Sequence, residues 1–270
     1  MKHIVFVLVY LFALDVLAEQ LHATNRPPSV KEILDSVLAQ MPSEPVLIKG
    51  RLGVRDRGQS ILQSYKVEIR LHITGGELSG RYTVFDMLGS SLEQLRVSRQ
   101  AGRNPGYEYS VGNPLLTAPT PDIFSHIRDT GLTWADLSLP FLWWRDGVIV
   151  GHDAVKDRDC FVIDVRPPAT ESGAERAVLV RVWIDQKYRM LLQADEYGAN
   201  LKMLRRLSVQ SFKKINDEWM IKDVIVSGST NLPSGYKSFV TIQDIRSVNK
   251  SHEDAQPPSK AEADAADSEK

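Results

Sequence analysis

The stretch Tyr65-Lys66-Val67-Glu68-Ile69-Arg70-Leu71-His72-Ile73-Thr74 alternates apolar and polar side chains along its whole length. Side chains of a β-strand point alternately to the two faces of its sheet, so a period of two predicts a strand with one buried face. Gly75-Gly76 follows immediately, and glycine pairs of this kind are typical of tight turns. A return strand is therefore expected directly after this one.

The same pattern recurs along most of the chain. Ten or eleven strands are predicted, at about residues 65–74, 81–88, 92–99, 106–112, 148–151, 160–166, 177–184, 189–197, 201–213, 218–227 and 236–248. Because short turns join most of them, the sheet should be an antiparallel meander. An open sheet of that size must curl strongly or close. The predicted fold class is mainly β (α+β), a strongly curled antiparallel sheet or half-open β-barrel.

A helix is predicted ahead of the strands. Pro27-Pro28-Ser29 is typical of a helix start, with Ser29 as the N-cap, and Pro42 ends the helical pattern. Between these limits the apolar residues recur at helical spacing: Val30, Ile33, Leu34, Val37, Leu38 and Met41. This amphipathic helix needs another element to cover its apolar side.

One long insertion, from Pro114 to about Trp144, interrupts the strands. Ile123, Phe124 and Ile127 predict a short helix that ends near Gly131. Together with the N-terminal helix, this insertion is expected to cover the concave face of a curled sheet.

The insertion ends in Thr133-Trp-Ala-Asp-Leu-Ser-Leu-Pro-Phe-Leu-Trp-Trp144, here called the aromatic segment. It is shorter than the roughly 20 apolar residues that span a bilayer, and Pro140 interrupts it. So apolar a segment must either be a permanent part of the core or act as a movable lid over an apolar ligand. The lid hypothesis selects Trp134, Leu137, Leu139, Phe141, Leu142, Trp143 and Trp144.

The two ends of the chain differ from its middle. Residues 1–18 have the pattern of a secretory signal cleaved after Ala18, so the mature chain should begin at Glu19 and be exported. No cysteine directly follows the cleavage site, so no lipid anchor is expected. Residues 249–270 form an acidic tail without apolar periodicity, which predicts disorder. The folded domain should therefore span residues 19–248.

Composition excludes several functions. The net charge of −1 gives no basic surface for nucleic acid. Cys160 is the only cysteine, so no disulfide can form within the chain, and its position in a predicted strand favours a structural role. No catalytic motif is present, so the protein is not expected to be an enzyme. No cofactor or metal site is expected either, and the polar residues His152, Asp153, Asp157 and Asp159 match no calcium or zinc spacing.

The chain resembles the LolA-like periplasmic lipoprotein carriers, and within them a branch of outer-membrane lipoprotein-sorting proteins. The long antiparallel sheet, the leading helix and the mid-chain insertion carry this resemblance. So do the strings Trp134–Leu137, Leu139–Trp144, Asp159–Asp164, Val182–Asp185, Leu191–Glu196, Ser211–Ile215 and Trp219–Asp223. None of these strings is a catalytic signature.

The resemblance implies a half-open barrel whose apolar cavity shields the acyl chains of a lipoprotein, or of a similar lipid, in the periplasm. It also implies an inner-membrane donor complex and an outer-membrane acceptor as partners. The alternative is a non-enzymatic interaction module of envelope biogenesis, which would dock on a membrane protein through the aromatic segment. A lipid hydrolase is a third hypothesis, and it would require a polar triad inside the cavity.

Arg205 is the charged residue that stands out. It falls in the apolar phase of Leu201, Met203, Leu207 and Val209, where a charge needs partners or solvent. It would bond carbonyl groups of the lid or a polar head of the ligand, or else lie at a bulge or at the rim of the sheet. No motif identifies it as the arginine that contacts the lid in the carriers.

Overall fold

A computed structural model describes residues 26–100, 103–171, 177–215, 218–229 and 231–248. The predicted signal sequence and the predicted acidic tail lie outside the described residues. Among the helices of the described ranges, none has the length and apolar character that crossing a bilayer requires.

The described chain forms one antiparallel sheet of 13 strands. Its order is β6-β5-β4-β3-β2-β1-β13-β12-β11-β10-β9-β8-β7, so the first and last strands meet in the middle and β6 and β7 form the edges. The strands are β1 (Val46–Arg55), β2 (Ile61–Thr74), β3 (Glu77–Phe85), β4 (Ser91–Arg99), β5 (Gly106–Val111), β6 (Leu116–Ala118), β7 (Gly147–Val155), β8 (Arg158–Val165), β9 (Leu179–Asp185), β10 (Leu191–Tyr197), β11 (Met203–Ile215), β12 (Glu218–Ser227) and β13 (Lys237–Ser247).

The antiparallel sheet is confirmed, but the predicted number of strands was too low. The alternating pattern missed β1 and β6. In β1 the alternation is broken by Gly50, which lies at a bulge, and by Gly53, where an added Cβ would lie 2.0 Å from the carbonyl oxygen of Gln63. Strand β6 is three residues long, too short to show any period. The sheet is open, and its strong curl stays a prediction.

The N-terminal helix is confirmed as α1 (Val30–Leu38). Ser29 is its N-cap and forms a capping box with Glu32, in which each side chain bonds the backbone N–H of the other residue. Ile33 and Leu34 are fully buried against the sheet, so the apolar side of the helix is covered as its pattern requires.

The helix predicted before Gly131 was wrong. Residues 121–132 form turns, in which the Asp122 carboxylate accepts a hydrogen bond from the Phe124 N–H and Arg128 adopts a left-handed φ of 51°. The helix comes later, as α2 (Trp134–Ser138), followed by a 3₁₀-helix (Pro140–Leu142). A capping box between Thr133 and Asp136 sets its start, and the left-handed φ of 46° at Leu139 separates the two helical turns.

The main core lies between the sheet and the two helical regions, and it includes residues of α1, the aromatic segment and strands from both halves of the sheet. A smaller cluster of Cys160, Val162, Trp183 and Leu192 is built mainly on strands β8 to β10. Cys160 is fully buried there, and burial raises the pKa of its thiol to about 11. A thiol with that pKa stays protonated near neutral pH and is a poor nucleophile.

Candidate functional site

An apolar cavity of about 160 Å³ lies between the middle of the sheet and the helical cover. Strands β1, β2 and β10 to β13 form its floor, while the end of α1 and the aromatic segment form its roof. Its wall is formed mainly by aliphatic side chains, which include Val37, Met41, Ile48, Ile69, Leu71, Leu137, Leu139, Leu142, Leu191, Leu207, Val224, Val240 and Ile242. No serine, cysteine or histidine of the described residues lines it, and the charged side chains at its wall are Asp136, Arg189 and Lys222. The wall thus offers mainly apolar surface to a ligand.

The structure brings only some of the predicted lid residues to this cavity. Leu137, Leu139 and Leu142 line it. The four aromatic residues of the prediction do not: Trp134, Phe141, Trp143 and Trp144. The aliphatic side chains of the aromatic segment therefore face the cavity, whereas the rings fix the segment to its surroundings.

The rings pack in edge-to-face pairs with their neighbours. Trp134 contacts Tyr109 of β5 with ring centroids 6.0 Å apart, and Phe141 contacts Trp144 at 6.5 Å. Trp134 and Trp144 are almost fully buried, whereas Trp143 is partly exposed. Most of the aromatic surface is thus part of the core.

Arg205 reaches from β11 to the start of the aromatic segment. Its Nη2 donates to the carbonyl oxygen of Gly131 at 3.2 Å, and its Nη1 donates to Thr133 Oγ1 at 3.3 Å. The same guanidinium group forms an ion pair with Asp136, the residue that closes the capping box of α2. Its side chain is only 10% exposed. The sheet therefore holds the first turn of α2 through one buried arginine.

Solved structures share this fold. A putative outer-membrane lipoprotein-sorting protein domain from Vibrio parahaemolyticus superposes with a TM-score of 0.67 at 13% identity, over 83% of this chain and 94% of that one. A LolA superfamily protein from Nitrosomonas europaea gives 0.62 at 13% identity, over 83% and 95%. The chain has the LolA-like fold. The resemblance stated from the sequence is thereby confirmed at the level of the fold.

The chain also resembles a further solved structure and matches a family model over part of its length. A DUF1329 family protein from Desulfovibrio piger matches the LolA-like sheet with a TM-score of 0.66 at 12% identity, over 81% of this chain and 91% of that one. A family model described as "-like: Uncharacterized protein" matches residues 125–255, which include the aromatic segment and Arg205. No curated protein matches the chain.

Beneath the aromatic segment, one arginine faces two carboxylates. Glu196 of β10 approaches Arg205, with 3.8 Å between Oε1 and Nε, so one guanidinium group faces both Glu196 and Asp136. Burial, reinforced by the negative charge of Asp136 and opposed by Arg205, raises the pKa of Glu196 to about 7. Burial and the positive charge of Arg205 lower the pKa of His126, which lies beside the same group. Because of this raised pKa, Glu196 is the residue of this cluster that we expect to change its charge near neutral pH.

A second polar cluster fixes the other end of the aromatic segment. Trp144 Nε1 donates to Glu171 Oε2 at 2.6 Å. The other carboxylate oxygen of Glu171 accepts from Arg99 Nη2 at 2.8 Å and from Tyr107 Oη at 2.6 Å. Glu171 and Arg99 are almost fully buried. Both ends of the segment are thus tied by buried polar groups, while Leu137, Leu139 and Leu142 lie between the ties.

Sequence reasoning selected Arg205 but missed its partners and the Glu171 cluster. The pattern Thr133-x-x-Asp136 resembles a capping box, and it was the one available signal for Asp136. Glu171 lies in the loop after β8 and meets β4 and β5, which are distant in sequence, so no local pattern identifies it. Within the described ranges, no group of three or more His, Cys, Asp or Glu side chains is arranged to hold a metal ion.

Proposed function

We propose that the protein is an outer-membrane lipoprotein-sorting protein, a soluble periplasmic carrier that shields lipoprotein acyl chains or a similar lipid cargo. In this proposal residues 1–18 are the signal sequence, residues 19–248 form the carrier domain and residues 249–270 form the tail. The observation that carries it is the aliphatic cavity beneath a cover that polar groups hold at both ends. The likeness to a lipoprotein-sorting domain supports the same function.

The chemistry of the cargo explains why such a cavity is useful. Moving one methylene group out of water is worth about 0.8 kcal/mol, so a chain of a dozen methylenes carries on the order of 10 kcal/mol. A carrier must replace water along that chain and must also release it. A wall of leucine, isoleucine and valine side chains does the first, and a cover that opens does the second.

The volume of the cavity supports a cover that opens. An engineered apolar cavity of about 150 Å³ in another protein holds benzene. The cavity of about 160 Å³ here therefore takes a group of about six carbons, which is shorter than a full acyl chain. Leu139, in the left-handed conformation between α2 and the 3₁₀-helix, is the hinge that we propose.

A curled sheet is part of this proposal. In a flat sheet the nine spacings between β4 and β8 would amount to about 43 Å. Glu171 follows the end of β8 by six residues, which reach about 20 Å when extended. Its Oε1 nevertheless lies 2.8 Å from Nη2 of Arg99 in β4. This contact supports a sheet that bends around the core as a half-open barrel.

The alternatives receive less support. An interaction module that docks through the aromatic segment needs exposed rings, and Trp134 and Trp144 are buried. A hydrolase needs a nucleophile beside the ligand, and the described wall of the cavity carries no serine, cysteine or histidine. We therefore propose a protein that is not an enzyme. A donor complex in the inner membrane and an acceptor at the outer membrane belong to the same proposal.

The test fills the cavity from the sheet side. Val224 of β12 lines the cavity, and the next residue, Ile225, points to the opposite face because side chains alternate along a strand. Binding of a fluorescent acylated peptide is measured by anisotropy for the wild type, Val224→Phe and the matched control Ile225→Phe. We expect Val224→Phe to bind the acylated peptide at least tenfold more weakly than the wild type and Ile225→Phe. The unacylated peptide should bind to none of the three proteins. Equal binding by all three proteins would refute the carrier function of this cavity.

A further inference from the structure

One cation on the cavity wall has no anionic partner among the residues that the structure describes. Arg189 lies in the turn between β9 and β10 and lines the cavity beside Met190 and Leu191. Its left-handed φ of 54° ends the turn. Its Nη1 is buried and has no hydrogen-bond partner. The guanidinium carbon lies 4.9 Å from the ring centre of Phe161, and a cation–π contact of this kind does not use the N–H of Nη1 as a hydrogen-bond donor.

The other charges of this region are paired. Arg205 is bound to Asp136, and Lys222, at the edge of the cavity, lies 3.7 Å from Asp223. Asp185, four residues before Arg189, pairs with Arg158 at 2.9 Å. Its other carboxylate oxygen accepts hydrogen bonds from the backbone N–H groups of Lys187 and Tyr188. In the described part of the chain, Arg189 makes no ion pair with any carboxylate.

A buried guanidinium donor without an acceptor is unfavourable, and guanidinium groups bind carboxylates and phosphates through two parallel hydrogen bonds. We propose that the cavity binds an anionic amphiphile, with its alkyl chain against the aliphatic wall and its carboxylate or phosphate group on Arg189. This inference rests on the proposed carrier function and narrows its cargo. A neutral diacylglycerol group would leave Arg189 as it is, whereas an anionic head would supply the missing acceptor.

The experiment compares three probes with the same ten-carbon chain: decanoate, decyl phosphate and the neutral decanamide. Their affinities are measured by isothermal titration calorimetry on the wild type, Arg189→Met and Lys187→Met. Lys187 lies in the same turn, is exposed and carries the same charge, so its replacement controls for net charge. We expect the wild type and Lys187→Met to bind at least one anionic probe about tenfold more tightly than decanamide. Arg189→Met should bind all three equally.

Each outcome decides one question. A preference for decanoate alone identifies a fatty carboxylate, and a preference for decyl phosphate alone identifies a phosphate head group. Equal binding of all probes by the wild type, or a preference that survives in Arg189→Met, would overturn the role of Arg189. Failure of every probe to bind would count against the carrier function itself. If Arg189→Met does not fold, the test uses the wild type and Arg189→Lys, which keeps the positive charge. Both proteins should then bind an anionic probe more tightly than decanamide.

Discussion

At the scale of single residues, the pairing of Arg205 makes a prediction about stability. Arg205→Met keeps most of the side-chain volume but leaves the buried carboxylate of Asp136 without a cation. Breaking a buried ion pair in this way costs about 3–5 kcal/mol. We expect a loss of that size in the free energy of unfolding, measured by urea titration.

The control for Arg205 is Arg246→Met, which removes an arginine that is 65% exposed from its ion pair with Asp244. Exposed pairs contribute at most about 1 kcal/mol, so this variant should unfold close to the wild type. Similar losses of unfolding free energy in both variants would mean that the buried ion pair of Arg205 stabilises the protein no more than an exposed pair.

Glu196 gives the molecule a pH dependence whose sign can be worked out. Its pKa is about 7 in the folded protein and near the ordinary 4.5 in the unfolded chain. Between these values the folded state binds more protons, so this group stabilises the protein at low pH and the contribution is lost as the pH rises through 7. Glu196→Gln should remove this part of the pH dependence.

The measurement is the urea midpoint of both proteins between pH 5 and pH 8. His126 contributes with the opposite sign, because its pKa is lowered by burial and by Arg205. The quantity to compare is therefore the difference between the urea midpoints of the wild type and Glu196→Gln at each pH. We expect the wild type to lose stability relative to the variant as the pH rises. A constant difference would show that Glu196 does not titrate in this range.

At the scale of elements, the two adjacent tryptophans have different roles, because Trp144 ties the aromatic segment to Glu171 whereas Trp143 is partly exposed. Trp144→Phe removes the hydrogen bond to Glu171 Oε2 and leaves a buried carboxylate oxygen without this donor. Such a loss costs about 1–3 kcal/mol. Trp143→Phe changes a partly exposed ring, so its effect should stay below about 1 kcal/mol. Thermal unfolding of both variants tests the difference, and equal melting temperatures would contradict the role assigned to Glu171.

The elements also show how far the sequence alone can be taken. Alternation found strands such as β2 and β4, which bury one face, and helical spacing with Ser29 as the N-cap found α1. The same reasoning placed a helix on Ile123, Phe124 and Ile127, where three apolar residues resemble one helical turn. Those residues lie in turns instead, and the helix begins directly after Thr133, whose capping box sets its start.

The candidate site could be predicted only in part, for a similar reason. The aromatic segment and Arg205 stand out because each breaks the local pattern of its surroundings. Asp136, Glu196 and Glu171 do not, since their significance comes from contacts between distant parts of the chain. Which side chains of the aromatic segment face the cavity depends on how α2 is docked, and the order of residues does not fix that docking.

At the scale of the whole molecule, the small cavity and the fixed ends of its cover predict how binding proceeds. A ten-carbon chain exceeds the cavity volume of about 160 Å³, so we expect residues between the two ties to move when it binds. Binding to the folded state alone stabilises a protein, by about 2.7 kcal/mol at a ligand concentration of 100 times Kd. Saturation with decanoate should therefore raise the melting temperature while loosening part of the cover.

Hydrogen exchange measured by mass spectrometry distinguishes this mechanism from binding in a rigid pocket. We expect decanoate to increase exchange in residues 137–143 and to decrease it in β12 and β13, which form the cavity floor. A rigid pocket would instead protect the cover together with the floor, because bound ligand suppresses every opening motion. The Val224→Phe protein should show neither change, since its cavity is already filled. Increased exchange of the cover in that variant would mean that decanoate acts elsewhere on the molecule.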